Sequence, residues 1–174
     1  MPISHSLNLG TAPDWFRYPA AMPLPVSLDV VAEELEALME EMTAFVNRKT
    51  GEIVSISQDD LGLVEGEVEE EDLPEWQVEW LPKVREISEG EDWAALPSKF
   101  EIHEWEIMRK FAYAVSNDEL SDQLQRAIHG RGAFRMFRDT IERAGIRDEW
   151  YQFKRTAMRE ISRRALDELG IPYR

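Results

Sequence analysis

The chain has no cysteine among its 174 residues, which excludes disulfide bonds, thiol catalysis, cysteine-ligated zinc and iron–sulfur clusters. Histidine is scarce, with three residues, and no His-Glu-x-x-His, Gly-x-Ser-x-Gly or Walker motif is present. No apolar run approaches the roughly 20 residues of a membrane span, and the N-terminus has no signal-peptide pattern. We therefore expect a cytoplasmic protein with no membrane contact, no metal and no cofactor.

The residues that are plentiful indicate a folded protein with an uneven charge. Hydrophobic residues make up 43% of the chain and include six Trp and seven Phe, enough for one globular domain. The net charge is −15, but residues 26–95 contain 21 acids and four bases, whereas residues 123–174 contain seven acids and 12 bases. The two regions either attract each other within the fold, or the basic region binds an external anion.

Residues 1–25 are predicted to form an irregular arm outside the domain, which spans residues 26–174. Five of the nine prolines lie in this arm, together with the aromatic residues Trp15, Phe16 and Tyr18. Such residues indicate packing against the chain itself, a neighbouring copy or a partner.

The first part of the domain predicts a helix, a β-hairpin and an acidic loop. Ser27 is a good N-cap, and apolar residues at three- and four-residue spacings predict an amphipathic helix from about 28 to 44. Residues 44–47 and 52–56 flank a turn that ends at Gly51, which is typical of a hairpin. The following stretch, near 59–73, has acids at six of eight positions from Glu65 to Asp72 and predicts a solvated loop.

The remainder predicts helices only. One begins at Pro74 and is interrupted at Pro82, although alternation over 76–80 leaves a strand open. Another follows the capping box of Ser98 and Glu101, and two more cover about 132–145 and 148–169. The aromatic residues expected to face inward on these helices are Trp76, Trp80, Trp105, Phe111, Phe134 and Phe137. The fold class is therefore mainly α with a small β-hairpin: an N-terminal helix plus hairpin, then a bundle of about four or five helices.

The strongest candidate site is the turn Gly130-Arg131-Gly132 and the helix after it. Backbone N–H groups at a helix start and arginine guanidinium groups both suit an anion such as a phosphate. Arg131, Arg135 and Arg138 are spaced i, i+4 and i+7, so they form one stripe beside the apolar face. A structural turn with ordinary ion pairs is the alternative interpretation.

A second stripe consists of Arg155, Arg159 and Arg163, spaced by four residues on the last helix. It could follow a nucleic-acid backbone or pair with the acidic segment Glu65–Asp72. No catalytic residue is identified by these patterns. His103 and Glu106 form one reversed half of a carboxylate metal site, whose other half is absent from the sequence.

Three stretches resemble UPF-0158, a bacterial family of uncharacterised proteins. They are residues 96–108, residues 130–137, which contain Gly-Arg-Gly-Ala-Phe, and residues 149–153; the hairpin from Thr50 to Val54 is also similar. The resemblance covers about residues 27–171. It implies a small, largely helical, cytoplasmic bacterial protein, and it brings no reaction, cofactor or catalytic residue.

These features favour a non-enzymatic binding or regulatory module that contacts a protein or a nucleic acid through its arginine face. The alternative is an enzyme that holds a phosphorylated or nucleotide substrate at the Gly130-Arg131-Gly132 turn, with Glu101 or Glu104 as the base. A second alternative is an assembly protein that uses the aromatic arm. The oligomeric state stays open.

Overall fold

A computed structural model describes residues 24–66 and 73–174 of the chain. The helices and strands are, in chain order, α1 (Leu28–Ala37), β1 (Met42–Asn47), β2 (Ile53–Ser57), α2 (Gln58–Glu65), α3 (Glu75–Glu89), β3 (Trp93–Ala95), α4 (Lys99–Ile102), α5 (Glu104–Ala114), α6 (Asp118–Ala127), α7 (Ala133–Ala144) and α8 (Arg147–Leu169). The predicted fold class, mainly α with a small β-hairpin, is confirmed. None of the described helices is long and apolar enough to cross a membrane.

The three strands form one antiparallel sheet in the order β2-β1-β3. The predicted hairpin supplies β1 and β2, in which Phe45 lies opposite Val54. The third strand was not predicted; it pairs with the other edge of β1 and places Ala95 opposite Phe45. A three-residue strand is too short to show a two-residue alternation, so the sequence gives no periodic signal for it.

The sheet separates two hydrophobic clusters. Ala44, Val46 and Ile53 face the main cluster, which α1 and the C-terminal helices complete. The opposite face, with Val54 and Ile56, packs against α3 and forms a smaller cluster. Both faces of this sheet are therefore covered. Successive side chains along a strand point to opposite faces, and each set packs into one of the two clusters.

The N-terminal helix is shorter than predicted. It ends at Ala37 instead of about residue 44, because Leu38 adopts an extended conformation (φ −59°, ψ 130°). The residues from Met42 onwards belong to β1, where hydrogen bonds to both β2 and β3 replace those that a longer helix would make. The apolar spacing of Met42 and Phe45 matched a helix, but the strict alternation of Ala44 and Val46 belonged to a strand.

The stretch predicted as an acidic loop begins as a helix. Over Gln58–Glu65 the chain forms α2, because the Ser57 hydroxyl caps it by accepting a hydrogen bond from the Asp60 N–H. Residues 67–72 lie outside the described residues, as do residues 1–23 of the predicted arm. The strand alternative for 76–80 is wrong, since α3 is one continuous helix that contains the exposed Pro82.

The helices predicted over about 132–145 and 148–169 are confirmed, whereas the helix predicted to follow Ser98 is divided into α4 and α5 by His103, which has a left-handed conformation. The core of the C-terminal helices is aromatic. Phe111, Phe137 and Trp150 meet edge to face, with ring centroids 4.8 to 6.1 Å apart. Helix α8 begins at Arg147, one residue before the predicted start, and packs along α1. The chain end closes the domain, because Val26 and Tyr173 form a parallel β-bridge.

Three aromatic residues predicted to face inward are exposed instead: Trp76, Trp105 and Phe134. Trp105 is 39% exposed, and its indole N–H donates to the carbonyl of the buried Ile128 at 2.9 Å. Phe134 lies at the side of α7, whose buried residues are Ala133, Phe137, Thr140 and Ile141, and it is 50% exposed. Both exposed side chains lie on the helices that carry or adjoin the candidate site.

Candidate functional site

The predicted glycine turn lies between α6 and α7. Gly130 and Gly132 have φ values of +80° and +82°, in the left-handed region that disfavours side chains. Nothing lies within 4 Å of a Cβ placed at either glycine, so the backbone angle alone selects glycine there. The hydrogen bond from Trp105 to Ile128 ties the start of this turn to α5. The turn is therefore fixed in place and presents Arg131 at its tip.

Arg131, Arg135 and Arg138 are all exposed. Arg135 lies opposite the buried face of α7, and Arg138 lies roughly 60° from it around the helix axis. None of the three side chains has a hydrogen-bond or ion-pair partner among the described residues. Arg131 lies in the turn before α7, so the predicted helical stripe holds for Arg135 and Arg138 and does not extend to Arg131. The free guanidinium groups of Arg131, Arg135 and Arg138 are together called the arginine surface below.

Acidic side chains close in sequence do not neutralise this surface. Asp139 and Glu142 lie four residues after Arg135 and Arg138, the spacing of helix ion pairs. Glu142 pairs instead with Arg147, with 3.3 Å between Oε1 and Nη1. Asp139 makes no ion pair with Arg135.

One further arginine of this region was missed by the sequence analysis. Arg126 is exposed in the last turn of α6, and no partner among the described residues contacts its side chain. The 16 residues from Gln123 to Arg138 contain four arginines and no acid, and they form the longest acid-free stretch of the chain. A search for acid-free stretches would have included Arg126 among the candidate site residues, whereas the search for helical spacing left it out.

The arginines of α8 are used differently. Arg159 forms an ion pair with Asp29 of α1. Arg163 pairs with Glu160 at 2.8 Å and with Asp167 at 2.6 Å. Hydrogen bonds from Arg163 and then Arg164 lower the pKa of Glu160 to about 2. The partners that the structure shows for Arg159 and Arg163 therefore lie in α1 and α8. Pairing of this stripe with the acidic segment stays a prediction, because residues 67–72 lie outside the described residues.

Arg155 differs from the other two α8 arginines. It makes no ion pair among the described residues and lines an open groove of about 540 Å³. The other residues of this groove also belong to α8; they are Asp148, Tyr151, Gln152 and Thr156. A groove along one helix offers no converging polar groups from other elements, which a small-molecule site requires.

The carboxylates considered as catalytic bases are occupied by structural contacts. Glu101 accepts hydrogen bonds from the Ser98 backbone N–H and hydroxyl in the predicted capping box, and these bonds lower its pKa. Glu104 pairs with Lys154 at 2.8 Å. A lowered pKa makes a carboxylate a weaker base, and an ion pair removes its freedom to accept a proton. Neither contact supports the alternative of an enzyme with its phosphate site at Gly130-Arg131-Gly132.

The remaining candidates do not converge on a site. Among residues 24–66 and 73–174, no group of three or more His, Asp or Glu side chains is placed to hold a metal ion. The aromatic arm with Trp15, Phe16 and Tyr18 lies outside the described residues, so the assembly alternative stays a prediction. Around Arg131, Arg135 and Arg138 the described residues place exposed guanidinium groups beside and after a glycine turn.

Comparisons with known proteins add no assignment. No protein-family model, no curated protein and no solved structure matches this chain. The resemblance to UPF-0158 therefore stays a prediction, and the argument for function rests on the geometry of the described residues.

Proposed function

We propose that this protein is a binding module that docks an anionic partner on the arginine surface, Arg131, Arg135 and Arg138. One observation carries the proposal: these three side chains are exposed and unpaired, whereas Arg159 and Arg163 of α8 have acidic partners. A regulatory role and a cytoplasmic location belong to the same proposal.

The free arginines of this surface are concentrated in the longest acid-free stretch of an acidic chain. The sequence has 35 acids for 20 Lys and Arg, so acidic partners are abundant. Where α8 meets α1, such partners are used, as Arg159 and Asp29 illustrate. A stripe that stays positive in a chain of net charge −15 concentrates an attractive potential at one place. Guanidinium groups bind carboxylates and phosphates through two parallel hydrogen bonds, which supports an anionic partner.

The test is a titration with two labelled anionic probes, a short single-stranded DNA and an oligoglutamate peptide. Three phosphate contacts should weaken DNA binding about 20-fold when salt rises from about 50 to about 200 mM. The variant Arg131→Glu, Arg135→Glu, Arg138→Glu should abolish binding of every probe that the native protein binds.

A matched variant separates the surface from net charge. Arg85, Lys110 and Arg174 are exposed and have no side-chain partner among the described residues. Replacing these three by Glu changes the net charge by the same amount as the triple variant of the arginine surface. The binding affinity should stay within about twofold of the native protein's, since charges far from the contact surface act weakly. Equal loss in both variants, or no binding by the native protein at low salt, would refute the proposal. Circular dichroism checks that both variants are folded.

A further inference from the structure

We propose that the partner of the arginine surface is a short acidic protein segment that carries apolar side chains, and not a nucleic acid. This inference rests on the proposed function and specifies its partner. Three observations carry it: the apolar residues beside the arginines, the choice of arginine over lysine, and the size of the surface.

Apolar side chains lie beside the arginine surface. Phe134 is 50% exposed and lies roughly 40° from Arg138 around the axis of α7, whereas Met136, 46% exposed, lies on the other side of Arg135. Aromatic residues, Met and Arg are the types enriched in protein–protein interfaces, while Lys is depleted. An acidic segment with an apolar side chain covers Phe134 while it pairs with Arg135 and Arg138.

The basic residues of this region are exclusively arginines. From residue 111 to residue 153 the chain has six arginines and no lysine. Lysine contacts a phosphate as well as arginine does when only a point charge is needed. Arginine adds planar, two-point recognition of a carboxylate or a phosphate, and it also stacks on apolar or aromatic surfaces of a protein partner. The absence of lysine therefore favours a partner that is recognised by shape as well as by charge.

The surface is small compared with a nucleic acid. Arg135 and Arg138 are separated by about 4.5 Å along the axis of α7, at 1.5 Å per residue, and Arg131 lies in the turn before this helix. Three arginines neutralise at most three phosphates, and the chain as a whole carries −15. A nucleic-acid strand that continues beyond these contacts meets a chain of the same charge sign. A short acidic segment ends with its contacts to the arginines.

The experiment compares two peptides and one DNA at about 150 mM salt. The first peptide is a helix of about 15 residues with glutamates spaced to meet the arginines and leucines between them. The second has the leucines replaced by serine, and the DNA is a single strand of similar length. Each is titrated with the native protein, with Phe134→Ser/Met136→Ser, and with Met39→Ser/Phe100→Ser, a matched change at two exposed apolar residues elsewhere.

We expect the leucine peptide to bind at least about tenfold more tightly than the serine peptide and the DNA. Phe134→Ser/Met136→Ser should remove that advantage, and Met39→Ser/Phe100→Ser should keep it. DNA binding that equals or exceeds peptide binding, depends on the arginines and is unaffected at Phe134 and Met136 would overturn this inference and leave the proposed function standing. Loss of all binding, peptide and DNA alike, would overturn both.

Discussion

Single residues in unfavourable backbone conformations are the simplest to test, and His103 is one of them. It joins α4 to α5 with φ 50° and ψ 58°, a left-handed conformation that is costly for a residue with a Cβ. We expect His103→Gly to raise the free energy of unfolding by about 0.5 to 1 kcal/mol, because the native strain is relieved. Urea unfolding with an unchanged slope measures it.

His103→Ala is the control for that prediction. Alanine removes the imidazole and keeps the Cβ, so it should give no increase. An equal rise in His103→Ala and His103→Gly would show that the imidazole, not the backbone angle, destabilises this position.

At the same scale, the sequence predicted which arginines form stripes but not which of them are free. The partner of Arg159 is Asp29, 130 positions away, and no local spacing relates the two residues. Phe134 was placed inside because a helical wheel cannot distinguish the edge of a buried face from its centre. Phe137 and Ile141, at the centre of the same face, were predicted correctly and are 2% exposed.

Between elements, a single guanidinium connects the hairpin to the longest helix. Arg48, in the turn after β1, donates from Nη1 to the Leu169 carbonyl at the C-terminal end of α8, at 2.6 Å. That carbonyl is one of the four that a helix end leaves without a partner, and the helix dipole favours a cation there. Because Arg48 is exposed, we expect Arg48→Ala to lower the free energy of unfolding by about 1 kcal/mol, measured by urea unfolding.

The neighbouring Lys49 provides the comparison. It forms an exposed ion pair with Asp92, with side-chain exposures of 72% and 48%. Exposed pairs contribute about 0 to 1 kcal/mol, so Lys49→Ala should cost clearly less than Arg48→Ala. Similar costs would mean that the contact with α8 does not stabilise the domain.

Long helices with a sustained apolar pattern were predictable from the sequence. Short elements, and segments whose apolar spacing fits both a helix and a strand, were not. The helices α7 and α8 repeat their apolar faces over several turns, and their predicted bounds agree with the structure to within one residue at each end. The boundary between α1 and β1 was predicted wrongly, because the apolar spacing near it fits both a helix and a strand. Pairing with β2 is what makes the residues from Met42 onwards a strand. Strand β3 depends wholly on the edge of β1, through residue pairs that are 46 to 50 positions apart in sequence, about a third of the domain.

Across the whole molecule, opposite charges do attract each other, but through particular pairs rather than between two halves. Lys154 of α8 lies between Glu36 of α1, at 3.2 Å, and Glu104 of α5, at 2.8 Å, and its side chain is 14% exposed. These contacts bring three distant segments together around one ammonium group. Part of the acidic excess of residues 26–95 is used here, while the arginine surface remains outside this network.

Because of the Lys154 ammonium group, the free energy of unfolding should decrease at alkaline pH. Burial alone would lower its pKa, but ion pairs with Glu104 and Glu36 outweigh burial and raise the pKa above 10.5. Because the pKa is higher in the folded state, its contribution is complete below about pH 10 and is lost as pH rises through the folded value. We expect the free energy of unfolding to fall above pH 10.5 more steeply in the native protein than in Lys154→Met.

At neutral pH, Lys154→Met should cost about 2 to 3 kcal/mol, since two partly buried carboxylates lose their common partner. Adding Glu104→Gln to Lys154→Met should recover part of that loss, because without Lys154 the half-buried Glu104 keeps only the longer contact with Lys99, at 3.8 Å. A double-mutant cycle in urea measures the coupling. Additive costs, with no recovery in the double variant, would mean that Lys154 stabilises the junction of α1, α5 and α8 by packing of its aliphatic stem and not by its charge.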